Sequence, residues 1–208
     1  MSDVWSRGNP YTFPGCEKLR LDSITDFVEV ILSGRVDAIN YCLYEARQRK
    51  TLLLLFQEIC AVPSPPLQAR IAFHRAWTTQ GLWIRDNFAS DAPLLDVLVK
   101  MLPGYSGPPM ELFRGERGSN HAAGTYGPSW TAKRSVAEMF AKGVNRCPQT
   151  GGVLLRTIAP TAAILAAPTN AHPKSIEESE YVVDRRALER VVVLEIYAPW
   201  NERDTNAT

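Results

Sequence analysis

Two carboxylates, Glu178 and Glu180, stand two positions apart in the run Ile176-Glu177-Glu178-Ser179-Glu180-Tyr181-Val182-Val183-Asp184. Tyr181 to Val183 reads as a buried β-strand, and side chains at i and i+2 leave a strand on one face, roughly 6 to 7 Å apart. Acids so placed can divide labour, one steadying a cationic transition state while the other handles a proton. A solvated acidic strand edge has the same composition, so the pair alone does not decide between the two.

Two earlier motifs carry further chemistry. In Leu112-Phe113-Arg114-Gly115-Glu116, strand alternation puts the Arg114 guanidinium opposite the Phe113 face. Gly115 beside it lets a ligand approach the backbone. Arginine's planar fork suits a phosphate or carboxylate, although a strand-terminal arginine often makes only a surface salt bridge. In Gly127-Pro128-Ser129-Trp130-Thr131, alternation sets Ser129 and Thr131 on one face and buries Trp130 on the other. Short hydroxyl side chains can hold a carboxylate in one rotamer; Thr131 reads equally well as a helix N-cap.

The elements that position these motifs divide near Pro103-Gly104-Tyr105-Ser106-Gly107-Pro108-Pro109, a turn-rich break. Before it the pattern is helical. Ser23 and Asp26 form a capping-box pattern ahead of Ile24, Phe27, Val28 and Ile31, with a stop at Gly34. A second run covers about Val36 to Cys60, with a break near Lys50. Pro65-Pro66 opens a third through Ile71, Phe73 and Trp77. Asp91 and Pro93 start a fourth that buries Leu94, Leu95, Leu98, Met101 and Leu102.

After the break the expected strands are Met110–Gly115, Gly152–Ile158, Ile164–Ala166, Glu180–Asp184 and Val191–Tyr197. One helix, about Ala132 to Lys142, is expected to turn Val136, Met139 and Phe140 inward. The fold class is α+β: a helical N-terminal lobe (1–105) packed on a mainly antiparallel β core (106–200), with a polar tail (201–208).

Composition narrows the function classes. The chain has 208 residues, 45% hydrophobic and 22% charged, enough to bury a real core. Its 23 basic and 22 acidic side chains give a net charge of +1, which indicates no global attraction to nucleic acid or an anionic membrane. Cys16, Cys42, Cys60 and Cys147, with His74, His121 and His172, show no zinc-like spacing, and no metal is expected. The first twenty residues do not resemble a signal peptide, and the longest apolar run, Leu52 to Phe56, is too short to span a bilayer. These features suggest a cytoplasmic protein, or one delivered into a target cell without a cleavable signal.

Taken in order, Phe113-Arg114-Gly115, then Ser129-Trp130-Thr131 with Ala137, Phe140 and Ala141, then Glu178-Ser179-Glu180 resemble the signature of a known family. It is the ADP-ribosyltransferase superfamily, in the Arg-Ser-Glu clade of cholera-toxin-like and clostridial-type enzymes. The resemblance covers roughly residues 108 to 198 and implies a split-sheet core that binds NAD⁺ as co-substrate and cleaves its nicotinamide–ribose bond. By this resemblance Glu180 is the catalytic glutamate, and Glu178 helps activate the acceptor. Arg114 holds the phosphates, Ser129 positions Glu180, and Thr131 is its structural companion. Gly115 offers a backbone contact to nicotinamide. Tyr126 is placed to stack on that ring, or is a core or loop aromatic. The stretch Pro168 to Ser175, with His172 and Lys174, occupies the place of the family's recognition loop. His121 reads as an exposed loop histidine in a flexible Gly118–Gly124 stretch.

The Glu-x-Glu form resembles that of members that modify arginine, and nucleic-acid acceptors also occur in the superfamily. Trp130 departs from the motif's commonest middle residue, but on the far face it leaves Ser129 undisturbed. By analogy the resemblance suggests a bacterial or phage toxin or effector, with an antitoxin or immunity protein as partner. Three other readings compete. One is an NAD⁺ glycohydrolase. Another is a catalytically silent module that binds a partner through Leu52–Phe56, Trp77 and Trp83. The third is a glycosidase pair at Glu178 and Glu180.

Overall fold

Ser23 opens the first helix with a reciprocal pair of hydrogen bonds. Its amide donates to Asp26 Oδ2 at 2.6 Å, and the Asp26 amide donates to Ser23 Oγ at 3.3 Å. This capping box starts α1 (Ile24–Leu32), which buries Phe27 and Ile31. Gly34, at φ 72°, turns the chain into α2 (Val36–Gln48). The break expected near Lys50 is real: Lys50 takes φ 57° before α3 (Leu52–Ala61) begins. In α3, Leu52, Leu55 and Phe56 face the core while Leu53 and Leu54 are exposed. α4 (Leu67–Arg85) follows Pro66, and α5 (Ala92–Met101) follows Asp91 and carries Pro93 in its first turn. The computed structural model describes residues 16, 19, 21–88, 90–170 and 177–199.

The second half is built on β1 (Met110–Arg117), α6 (Gly118–Ala122), β2 (Ser129–Thr131), α7 (Arg134–Lys142), β3 (Gly152–Ala159), β4 (Ile164–Ala166), β5 (Glu180–Val183) and β6 (Val191–Tyr197). Among the described residues the fold is α+β, with seven α-helices and one six-stranded sheet in the order β4-β5-β2-β1-β3-β6. Every neighbouring pair is antiparallel. β1 and β3 pair along eight residues, but β1 and β2 share one register pair, Phe113↔Thr131. The sheet therefore parts between β1 and β2 just beyond Phe113.

The largest apolar cluster runs from the five N-terminal helices into Leu165, Ala166 and Val182. The helices and the β4–β5 side of the sheet thus share one core. A second cluster gathers Leu112, Trp130, Leu155 and Val183. A third lies under α7, from Phe113, Ala137, Ala141 and Leu154. No helix among the described residues is long and apolar enough to cross a membrane.

Three expectations are corrected. Met139 does not face inward: it is 57% exposed, and the buried positions of α7 are Ala137 and Ala141. The reason is Gly115. A Cβ there would lie 2.3 Å from both Ala137 O and Ala141 N, so the α7 backbone lies directly on the strand. Only alanines fit that contact, and the helix's bulkier apolar side chains are turned elsewhere. The Gly118–Gly124 stretch is not a loose loop, because α6 occupies it, and His121 is half-buried against Tyr126. Glu178 and Glu180 do not leave one strand together at i and i+2: β5 begins at Glu180, where the strand was expected to start, and Ser179 before it takes φ 53°. His172, Lys174 and the tail 201–208 lie outside the described residues.

The Gly115 contact is with backbone, which cannot swing aside. Gly115→Ala should therefore cost at least the roughly 1–3 kcal/mol typical of overpacking. Urea unfolding of the two chains measures it; an unchanged midpoint would mean that α7 can lift off the strand freely.

Candidate functional site

The parting between β1 and β2 opens into a cleft of about 500 Å³. Arg114 and Gly115 line it from β1, Ser129 and Thr131 from β2, and Glu178 and Glu180 from the start of β5. Six of the seven residues singled out from the sequence thus meet in one place. Tyr126 does not join them. It packs edge-on to Trp130 at 6.4 Å and stacks on His121 at 5.9 Å, partly buried against the second apolar cluster.

Arg114 is held rigidly. Its Nε donates to Glu116 Oε2 at 2.7 Å, and its Nη1 donates to the Ser129 carbonyl, bridging the strands where the ladder has stopped. The surface salt bridge that such an arginine often makes is here a buried one: the Glu116 side chain is 1% exposed and that of Arg114 12%. Glu116 also accepts from the amides of Arg117 at 2.9 Å and Gly127 at 2.8 Å, and from Asn120 Nδ2 at 2.9 Å. Burial pushes the Glu116 carboxyl up, but the Arg114 charge and hydrogen bond and the two amides outweigh it and hold the group at about 2. The signal for Glu116 was in the sequence, two places from Arg114 on the same strand face, within cross-bonding reach.

The two acids are positioned by different means. Glu180 sits in the β2–β5 ladder level with Thr131, while Ser129 is level with Val182. Thr131 is therefore the direct cross-strand neighbour of Glu180, and Ser129 is the diagonal one on the same face. Glu178 rides on a turn fastened to the β2–α7 junction. Thr131 Oγ1 donates to the Glu178 carbonyl at 2.6 Å, the Ala132 amide donates to Ser179 O at 3.3 Å, and Lys133 Nζ donates to Glu177 O. Thr131 also accepts from the Lys133 amide at 3.0 Å; the N-cap position itself is Lys133, whose side chain makes no capping bond. Gly115 is backed by Asn145, whose Nδ2 donates to the Gly115 carbonyl at 2.7 Å.

The opposite wall comes from α4, through Trp77, Thr78, Gly81, Leu82 and Arg85, and Val136 and Phe140 of α7 close the apolar side. None of these was singled out as a site residue from the sequence. Helical spacing explains why: Trp77, Gly81 and Arg85 lie four apart and share one helix face. That face reads as core unless the position of the sheet is known. Trp77 is buried, whereas Trp83 is half exposed. Among the described residues no group of three or more His, Cys, Asp or Glu side chains is placed to hold a metal ion.

Against protein-family models, curated proteins and solved structures, the chain finds no match.

A carboxyl whose folded value lies near 2, against an ordinary 4.5, contributes stability that is complete above about pH 4.5 and is lost as pH falls toward 2. Glu116→Gln should unfold at a lower temperature at pH 7, by an amount consistent with the roughly 3–5 kcal/mol of a broken buried pair. Its thermal midpoint should then change less than the wild type's between pH 5 and pH 2. Parallel profiles would show that Glu116 does not carry the acid sensitivity.

Proposed function

We propose that this cleft binds NAD⁺ and that the protein is an ADP-ribosyltransferase of the Arg-Ser-Glu type, with arginine side chains as the favoured acceptor. One observation carries this reading. Three short motifs, spread from Phe113 to Glu180, converge on one cleft at the parting of an antiparallel sheet. An isolated acidic pair or a lone strand-end arginine would not need the other two motifs beside it.

The chemistry asks little of the protein beyond charge and position. The bond between ribose C1′ and the nicotinamide nitrogen breaks, and its electron pair neutralises the positive ring nitrogen of the leaving group. The ribose is left as an oxocarbenium-like centre. Glu180, held in the ladder, places a carboxylate in a cleft that is largely apolar on the α7 side, where a fixed charge acts more strongly than in water. The acceptor's lone pair forms the new bond at C1′, and its proton passes to Glu178. Arg114 supplies an anchored cation for the phosphates, and Glu116 holds it in place. Ser129 contributes its carbonyl to Arg114 and lines the cleft diagonally from Glu180.

Glu180→Gln should lower nicotinamide release from NAD⁺ by about 100-fold or more, the scale on which removal of a fixed transition-state charge acts. Glu178→Ala should abolish label transfer to an acceptor while sparing release, and Ser129→Ala should cost less than either. The measurement uses adenine-labelled NAD⁺ and a whole-cell lysate separated into protein, nucleic-acid and small-molecule fractions. Unchanged release in Glu180→Gln would remove the proposal. Free ADP-ribose with no labelled macromolecule would reassign the protein as a glycohydrolase.

A further inference from the structure

Gly127, buried next to the cleft-lining Pro128, marks a point at the edge of the cleft where two cations meet. A Cβ built there would stand 2.2 Å from Arg114 Nη2 and 2.8 Å from Arg85 Nη1, so two guanidinium ends from different halves of the chain occupy the space beside that glycine. Each arginine is anchored by its other nitrogens. Arg85 donates from Nε and Nη2 to the two oxygens of Asp91 at 3.2 and 2.9 Å, and from Nη2 to Thr125 O at 2.7 Å. Arg114 uses Nε and Nη1 on Glu116 and Ser129. The two nitrogens that face Gly127 have no hydrogen-bond partner among the described residues, and both arginines line the cleft.

Like charges held this close repel, and the surroundings only partly cancel them. Arg185 Nη1 donates to Asp91 Oδ2 at 2.6 Å and to Tyr126 O at 2.9 Å, so Asp91 serves two arginines and Glu116 serves one. Three guanidinium groups thus face two carboxylates, and the side chains of all five are at most 18% exposed. Glu178 and Glu180 line the same cleft from the start of β5, where Glu180 is level with Thr131. Beside Gly127 the three guanidinium groups outnumber the two carboxylates that they bond, and two of their nitrogens stand at one spot.

We infer that Arg85 of α4 acts with Arg114 as a two-guanidinium site for a diphosphate group, with Gly127 kept small to leave both donors room. The inference rests on the reading above for the identity of that group, the pyrophosphate of the dinucleotide; the anion site itself follows from the two arginines. It makes the helical half a supplier of binding residues rather than a buttress.

Inorganic pyrophosphate and NAD⁺, each titrated calorimetrically into the full chain, test it with two variants. Arg85→Gln removes one donor, and Gly127→Ala keeps both charges but fills the space between them. The atoms that this new methyl meets are side-chain ends rather than backbone, and Asp91 keeps both its arginines, so Gly127→Ala displaces the two guanidinium ends and should fold even if loss of the Asp91 partner unfolds Arg85→Gln. Thermal melting of each variant checks this. Either substitution should weaken both ligands by about tenfold or more, the value of one charge-assisted hydrogen bond. Binding of pyrophosphate that is absent in the wild type, or unchanged in the folded variants, overturns the inference. If NAD⁺ turnover then still depends on Glu180, the proposed activity survives that failure. Arginine-dependent binding of pyrophosphate without any binding of NAD⁺ would keep the anion site and remove the dinucleotide reading.

Discussion

The carboxylate of Glu116 is the group on which the cleft depends. It accepts four hydrogen bonds, from Arg114, Arg117, Asn120 and Gly127. These tie together the end of β1, the short helix after it and the approach to β2. A buried negative charge is costly to desolvate, and this one is retained because each donor repays part of that cost. The result is an arginine that cannot relax into the gap between the strands. Without that brace the guanidinium would have several rotamers and the parting of the sheet no fixed width.

The helical half is joined to this arrangement through charge as well as through apolar packing. Asp91, just before α5, holds Arg85 from α4 and Arg185 from beyond β5. Burial disfavours its charge, and the two guanidinium groups outweigh that and keep its carboxyl below the usual range. From the sequence Asp91 was a helix start. It does precede α5, but its side chain makes no capping bond and serves the arginines instead.

Local signals in the sequence were reliable where local forces decide the structure. The capping box at Ser23, the break at Lys50, the prolines before α4 and in α5, and strands β4 and β6 all follow from capping, propensity and turn chemistry. What could not be read was set by contacts between distant segments. Met139 was misplaced because the close approach of α7 to Gly115, not helical amphipathicity, decides which face is buried. Tyr126, near Ser129 in sequence, reads as a stacking ring or as a core or loop aromatic, and only its contacts with Trp130 and His121 show it packed against the core. Arg85 lies 29 positions before Arg114, in a helix whose pattern is that of core packing. The candidate site was legible as three motifs, with the Glu116 brace inside the first of them; its far wall was not legible.

Ser179 shows how the two acids became independent. An L-residue at φ 53° is held about 1 kcal/mol or more above its relaxed state, and here three bonds to the β2–α7 junction hold it there. That kink takes Glu178 out of the sheet's register. Insertions or deletions in the chain upstream of it can re-aim Glu178 while the ladder keeps Glu180 where it is. Under the activity proposed above, a lineage built on this scaffold can change what it modifies without rebuilding how it breaks the bond.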